Sequence, residues 1–574
     1  MKRPKTVFDE KKSTIALLSK RVLRGEGFSC MSRSSLEFIG TPGQIFHWIP
    51  GEMIVIVRLP RLPRDDAVDE LLEHIQQILN TFLDNYQVTL DLYGTSGRWN
   101  EMPAMPPIRR RSFVFGLQRK QPLMAIFFHT RQVGQTVLVN DPLPLVLSHI
   151  HGHLEYFARL GVHIVSAMPN WLLAAAPFYY HEGGPALPPQ AAAIGESEVP
   201  VNATSGWHVQ FMNTPLPFDP HGAEDVLIAV LDTAPHPDRI RSAATRPELR
   251  RNWLLQQLTH DLRQEDGSFF VEYDRYPLTN DVGTGRVAEH DPRYYLMPDH
   301  GLSVVGLIRD VAPRAKVRLV RILNDYGGGD LYALFAALTD LEHELATGAI
   351  RRLVINLSLT MLPDMRRLPY VWLEDRPWST RQLMGVVRIL NQLEDGLRLL
   401  FDSLFMAGAL IVAAAGNDSS STHEQGTDPR PPRAPARYES TLGVSSVNSL
   451  FAASKFANAA NVASMQSGVA TFGGDEEATE DGERDAVRGV YISPIFPLGE
   501  QNTSGWADWR GTSFSTAIIS GLSAHFMAQG WTAANIMTRL SSAIDARNEN
   551  GFEMPFDVPA LLANVVRVRQ LFDF

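Results

Sequence analysis

The stretch Asp508-Trp-Arg-Gly-Thr-Ser-Phe-Ser-Thr-Ala-Ile-Ile-Ser-Gly521 decides how this chain is read. It opens as a turn, passes through Gly-Thr-Ser and ends in an apolar run of small residues that predicts a buried helix. Gly511 lets the backbone come close to whatever lies in front of it. Ser513 falls in the first helical turn, where free N–H groups and the positive end of the dipole favour an anion. A serine there suits acyl transfer, because the charge of a tetrahedral intermediate develops beside its own N–H. Standing alone, the same pattern describes a serine that merely caps a helix. The chemical reading needs a base, a carboxylate to orient it and a second oxyanion donor elsewhere.

Three upstream segments supply candidates. Val226-Leu-Ile-Ala-Val-Leu-Asp-Thr-Ala234 is a buried strand ending in Asp232. In an open parallel sheet the carboxyl ends of strands face the ligand crevice. Pro298-Asp-His-Gly-Leu-Ser-Val-Val-Gly306 puts His300 at the start of a small-residue helix. Val412-Ala-Ala-Ala-Gly-Asn-Asp418 is a buried strand that ends in Gly416 and Asn417. Each has an ordinary structural reading: a capping aspartate, a satisfied core histidine, a turn. Together, and in this order, they say more.

The order Asp232, His300, Asn417, Ser513, each at a strand end or helix start, resembles the subtilisin-like serine peptidases, the subtilases. Supporting segments agree. Ala312-Pro-Arg-Ala-Lys-Val-Arg-Leu-Val-Arg-Ile-Leu is similar to the strand after the histidine helix, and Val354-Ile-Asn-Leu-Ser-Leu359 to the substrate-binding strand. Phe556-Asp-Val-Pro-Ala-Leu is similar to the C-terminal segment. The resemblance covers about 207–574, and an α/β-hydrolase would need Ser before Asp before His. It implies that Ser513 attacks a peptide carbonyl, His300 carries the proton and Asp232 holds the imidazole tautomer. It further implies Asn417 as oxyanion donor, and Ser358, Leu359, Thr360, Ala415, Gly416 and Asp418 as substrate-binding residues. Asp418 at a pocket rim would favour a basic or polar residue before the cut. The family pattern is not kept throughout. Ala234 replaces a glycine, Ser303 a second histidine, Thr360 a glycine that would otherwise widen the cleft, and Ala517 a proline. Insertions after His236, after Thr360 and across Gly474 to Pro494 would frame the cleft.

The expected fold class is α/β, a subtilisin-like domain with a mostly parallel central sheet covered by helices on both faces, preceded by a small α+β domain. The 574 residues accommodate two or three domains. The expected division is an arm at 1–48, an α+β domain at 49–176, an exposed linker at 177–206 and the peptidase domain at 207–574. In the α+β domain Asp65 and Asp66 are N-cap candidates for a helix whose Val68, Leu71, Leu72, Ile75, Leu79 and Phe82 share a face. A second helix is expected near Leu145 to Leu160. Pro50-Gly-Glu-Met-Ile-Val-Ile and Ala167-Met-Pro-Asn-Trp-Leu-Leu173 resemble the first and last strands of the subtilase propeptide. That resemblance implies an intramolecular N-terminal domain that assists folding and inhibits, with cleavage within about 175–206. A regulatory domain that is never removed is the rival.

Composition excludes other classes. A formal charge of −10 with no basic cluster argues against a nucleic-acid partner. No apolar run reaches membrane length, and Lys20-Arg21 interrupts the only leader-like stretch, so a cytoplasmic location is expected. A single cysteine, Cys30, forbids an intrachain disulfide. No cofactor is required. The acidic stretch Asp475 to Asp485 reads as a solvated loop in preference to a calcium site. His149, His151 and His153 read as helix residues, not a metal cluster, since only two of them share a face. The different-class alternative is a catalytically idle fold of this type acting as a protein-binding module.

Overall fold

The computed structural model describes residues 48–93, 110–133, 141–175, 188–192, 210–211, 214–215, 223–262, 269–273, 275, 296–361, 392–420, 429–448, 452–460, 468–476 and 484–541. The expected N-terminal arm, the segment from Phe556 and most of the expected linker lie outside these residues.

The first part of the chain forms β1 (Trp48–Arg58), α1 (Asp65–Leu83), β2 (Val88–Leu92), β3 (Ser112–Phe115) and β4 (Leu123–Gln132). It continues with α2 (Leu143–Gly152), α3 (Leu154–Arg159) and β5 (His163–Ala174). All pairings among these strands are antiparallel, with β1 between β4 and β5. The predicted apolar face of α1 is the buried one: Leu72, Ile75 and Leu79 lie in the core, with Val68, Leu71 and Phe82 packed against it. The expected aspartate cap is not formed; α1 begins at Asp65, and Arg64 precedes it without a side-chain cap bond. The single helix expected near 145–160 is two, broken at His153, which leaves helical geometry with φ −130°. The short β6 (Gln190–Ala191), β7 (Gln210–Phe211) and β8 (Thr214–Pro215) follow.

Beyond them come β9 (Val226–Asp232), α4 (Pro237–Thr245), α5 (Trp253–Asp261) and β10 (Phe269–Glu272). Next are α6 (His300–Val311), β11 (Lys316–Arg321), β12 (Gly328–Asp330), α7 (Leu331–Ala346), β13 (Arg352–Leu357) and β14 (Thr360–Met361). The chain proceeds through α8 (Asp395–Met406), β15 (Leu410–Ala414), β16 (Thr441–Val447) and β17 (Val469–Phe472). It ends, within the described residues, with β18 (Val487–Val490), β19 (Trp506–Trp509), α9 (Thr512–Ala528) and α10 (Ala533–Ser541).

Seven strands in the order β10-β11-β9-β13-β15-β16-β17 form one sheet in which every pairing is parallel. Their near-continuous apolar sequences follow from burial on both faces. Along β9, Val226, Ile228 and Val230 enter one core with α6 and α9, while Ala229 and Leu231 enter another with α7 and α8. The residues of β13 and β15 divide the same way. The second core continues without a break into Met53, Ile54, Val55, Phe127 and Met168 of the N-terminal sheet. Helices α7 and α8 are therefore sandwiched between the parallel sheet and the antiparallel one.

That contact is polar as well as apolar. Tyr332 of α7 packs among Tyr93, Phe113 and Phe127. Both carboxylate oxygens of buried Glu342 accept from the Gly116 N–H, at 3.0 and 3.1 Å, and Ser403 donates to the same group. Asn170 receives the Tyr332 N–H at 3.2 Å and donates to Glu52 at 2.7 Å. A buried carboxylate and amide without such partners would each cost a kcal/mol or more, about the desolvation of an orphaned group.

Candidate active site

Three strand ends and two helix starts converge on one buried cluster. Strand β9 ends in Asp232, and α6 starts at His300 immediately against it. The close approach depends on Gly301, where a Cβ would stand 2.1 Å from the Thr233 carbonyl oxygen and 2.9 Å from Cβ of Asp232. Thr233 fastens the junction: its hydroxyl receives the Gly301 N–H at 3.1 Å and lies 3.2 Å from the carbonyls of Met297 and Pro298. As a result His300 Nδ1 lies 2.8 Å from Asp232 Oδ1, which also accepts the Thr233 N–H at 2.6 Å. The imidazole is held edgewise between Trp509 and Phe514. Its other nitrogen, Nε2, is buried and has no hydrogen-bond partner among the described residues.

Ser513 is the second residue of α9. Gly511, at φ 141°, turns the chain into that helix in a conformation that side-chain-bearing residues rarely adopt. The Ser513 hydroxyl donates to the Ser358 carbonyl at 3.4 Å and does not bond His300. Ser358 in turn reaches back, its Oγ 3.0 Å from the Ser513 carbonyl.

Asn417 follows β15. Gly416, at φ 109°, makes the turn, and Asn458 fills the space in front of it, leaving no room for a Cβ. The Asn417 Oδ1 accepts from both the N–H and the hydroxyl of Thr512, each at 3.1 Å. That orients the side chain and leaves Nδ2 buried without a partner among the described residues. Asp232, His300 and Ser513 are all at 0% exposure. The arrangement offers a carboxylate–imidazole pair, a hydroxyl and an unspent amide donor around one point.

The other residues expected around the substrate fall into two groups. Ser358, Leu359 and Thr360 carry β13 into β14; the Gly416 N–H donates to the Thr512 hydroxyl at 3.3 Å, and the Ala415 carbonyl accepts the Arg433 N–H at 3.0 Å. The expectation for Asp418 is corrected. Its carboxylate is buried and engaged by Arg433 Nε at 2.6 Å, Arg433 Nη2 at 2.9 Å and Asn458 Nδ2 at 2.8 Å. It is therefore not an open receptor for a basic side chain. Burial by itself would push this carboxyl up, but the Arg433 charge and the hydrogen bonds outweigh it and hold it below its ordinary value. Since the folded value is the lower one, the stabilisation is present above about pH 4 and is lost as pH falls through the folded value. Arg433→Met leaves a buried carboxylate unpaired; denaturant unfolding near neutral pH should show a loss of about 3–5 kcal/mol. A loss under 1 kcal/mol would mean the pair is not a structural clamp.

Sequence reasoning missed Arg433, Asn458 and Thr512, although each holds a neighbour of the reacting groups. It also missed β12 and β19. The only signal for β12 was the glycine run Gly327-Gly-Gly-Asp330.

The Subtilase family model matches residues 223–556, more than half of the sequence. The chain belongs to the subtilase family. Among solved structures, this subtilase is similar to a lanthipeptide protease, at 16% identity and TM-score 0.33 over 58% of this chain and 90% of that one. It is likewise similar to a serine-to-alanine mutant of the protease domain of PatA, at 16% identity and TM-score 0.33 over 60% and 94%. No curated protein matches it.

In this subtilase the end of β5 lies between two strands of the peptidase part. Leu172 to Ala174 pair antiparallel with β12, and Leu173 and Ala174 pair antiparallel with β14 on the other side. The Ala175 N–H adds a bond to the Gly327 carbonyl at 2.8 Å. Because β14 runs away from Ser358, an antiparallel β5 runs toward Ser358 and Ser513. Among the described residues no three His, Cys, Asp or Glu side chains are grouped to hold a metal ion, and no helix is long and apolar enough to cross a membrane. Residues 477–483 of the acidic stretch lie outside the described residues; Asp475 accepts from the Lys455 and Glu476 N–H groups and from Asn448. The three histidines each have local partners: His149 stacks on Tyr86, His151 bonds the Ala167 carbonyl and His153 the His149 carbonyl.

Proposed function

We propose that this subtilase is a serine endopeptidase in which Asp232, His300 and Ser513 form the triad and Asn417, with the Ser513 N–H, receives the oxyanion. The observation that carries the reading is the buried His300 Nδ1–Asp232 Oδ1 contact at 2.8 Å together with His300 Nε2 and Asn417 Nδ2, both buried without a hydrogen-bond partner among the described residues. Burying such atoms unsatisfied is costly unless a reacting group completes them. In the reaction the Ser513 hydroxyl would turn from the Ser358 carbonyl to His300 Nε2 and give up its proton as Oγ attacks the peptide carbonyl. His300 would then pass that proton to the leaving amine. No cofactor enters this scheme, and the substrate is a protein or peptide.

The N-terminal sheet, in the same proposal, is an intramolecular inhibitor. Its last strand takes the place of an extended substrate, hydrogen-bonded on both edges. Ala174→Pro removes a donor from that ladder. It should raise hydrolysis of a short peptide by the full chain on the order of tenfold, about one lost hydrogen bond; an unchanged rate would argue that β5 does not block the cleft. The lone cysteine, Cys30, which allows no intrachain disulfide, keeps a cytoplasmic setting as part of the proposal. Whether the chain cuts itself is read from intact masses of the wild type and Ser513→Ala.

The second reading, an idle fold that binds proteins, draws on one observation: the Ser513 hydroxyl bonds Ser358 and not His300. Labelling with a fluorophosphonate separates the two. An adduct on Ser513 supports the peptidase; no adduct, under conditions that label other serine hydrolases, supports the binding module.

A further inference from the structure

Strand β19 ends four residues before Ser513 and runs toward it. Its edge is already occupied. Gln190 and Ala191 pair antiparallel with Asp508 and Ala507, and the Ala192 N–H reaches the Trp506 carbonyl at 3.4 Å. The direction of β6 is therefore away from Ser513. Two arginines fix it there: Arg484 Nη1 donates to the Ala191 carbonyl at 2.6 Å, and Arg510 Nη2 donates to the Gln190 side-chain oxygen at 3.0 Å. Arg510 Nε is buried and has no hydrogen-bond partner among the described residues. Residues 188–192 were expected to be exposed linker; their Pro-Pro-Gln-Ala-Ala sequence is instead seated against the peptidase core, with Ala191 and Ala192 packed on it.

Resting on the peptidase reading above, we propose that residues 188–192 are a second resident blocker, occupying the half of the cleft that holds substrate residues C-terminal to the cut. Strand β5 heads toward Ser513 along β12 and β14, and β6 heads away from it along β19. Arg510 is a specificity residue of that half-site. In the resting chain it reads the carboxamide of Gln190, and in a substrate it selects a carboxylate or carboxamide at the same position. A carboxylate there makes a charge-assisted bond, and Arg510, with one buried N–H still unused, can add a second. A lysine at the position meets the Arg484 and Arg510 guanidinium groups and gains only the Asp508 carboxylate across the strand pair, which Arg484 and Arg488 already engage, so it binds less well. Two consequences follow. Any self-cleavage falls between residues 175 and 188, a narrower window than the linker alone gives. Cutting there frees β5 but leaves β6 seated, so the cleft opens only when β6 also lifts off.

The test uses the full chain carrying Ser513→Ala together with Ala192→Pro, which removes the N–H that bonds Trp506. Gln190→Ala serves as the second opening variant if the proline variant misfolds. Fluorescent peptides of sequence PPQAA, PPEAA and PPKAA are titrated by anisotropy, so that binding is read without catalysis. The Glu peptide should bind at least about tenfold tighter than the Lys peptide. Arg510→Gln should erase that preference. The unopened chain should bind all three more weakly than the opened one. Equal binding of the three peptides, or no gain on opening, overturns the proposal. Fluorophosphonate labelling of the same opening variants on the Ser513 background is run in parallel. A Ser513 adduct with flat peptide preference sinks only this inference, whereas selective peptide binding with no adduct sinks only the peptidase reading.

Discussion

Ser513→Ala should lower kcat on a peptide substrate by on the order of 10⁶ if Ser513 is the nucleophile, and His300→Ala should do the same if His300 is its base. That is the scale on which the equivalent groups act in subtilisin, a member of this family. The reason lies in how the groups depend on one another. Without Oγ there is no nucleophile for His300 to deprotonate, and without the imidazole Oγ stays a weak, protonated alcohol. The double variant should be no worse than either single one, because the pair acts as one unit. For Ser513→Ala stability should barely move, within about 0.5 kcal/mol, because the hydroxyl makes only a long 3.4 Å bond to Ser358 in the resting chain. His300→Ala empties a buried ring site and takes a partner from Asp232, so it should also lower stability by about 2–4 kcal/mol. Steady-state kinetics with a thermal melt of each variant checks both halves, and loss of activity with an intact melt is the expected result for Ser513→Ala. An alanine variant that keeps more than about a hundredth of wild-type activity would place the nucleophile elsewhere.

The second large effect belongs to Asn417. Its Nδ2 is a buried donor with no hydrogen-bond partner among the described residues, so its interaction would be made only when charge develops on the substrate oxygen. Asn417→Ala should lower kcat on the order of 10²–10³ with KM little changed. A structural explanation competes, because Asn417 Oδ1 also orients Thr512 by two bonds. Thr512→Val separates them: it removes the hydroxyl bond to Asn417 and leaves Nδ2 in place. If the valine variant reproduces the full kcat loss, Asn417 acts by positioning; if it retains most of the rate, Asn417 acts on the oxyanion.

The four groups of the candidate site were legible in the sequence for a physical reason. Asp232, His300, Asn417 and Ser513 each stand where a buried apolar segment meets a small residue, and such junctions leave a plain mark. The parallel sheet was legible too, from strands apolar on both faces. What the sequence hid was held by residues distant in the chain or by strands too short to show a period. Arg433 sits in the proline-rich run Arg430-Pro-Pro-Arg-Ala-Pro, and nothing local ties it to Asp418. Strands β12 and β14 have three and two residues, below the length at which alternation can be seen. Strand β6 lies after Pro188-Pro189, which reads as a spacer until its partner in β19 is known. The break at His153 was masked by apolar residues that continue across it at helical spacing.

The hydrogen-bonded continuity of β5 with β12 and β14 has a quantitative consequence for any competitor. A strand tethered to its own cleft acts at an effective concentration in the range of millimolar. A free peptide of equal intrinsic affinity must reach that concentration before it holds the cleft half the time. At micromolar levels it would hold the cleft on the order of one-thousandth as often as the tethered strand does. In the proposed inhibited chain, activity would then be set less by how well a substrate fits than by how often β5 peels away. Because that strand shares its core with α7 and α8, peeling is a local unfolding event with its own free energy. Temperature, denaturant and force on the N-terminal sheet should all act as activators well before they act as denaturants.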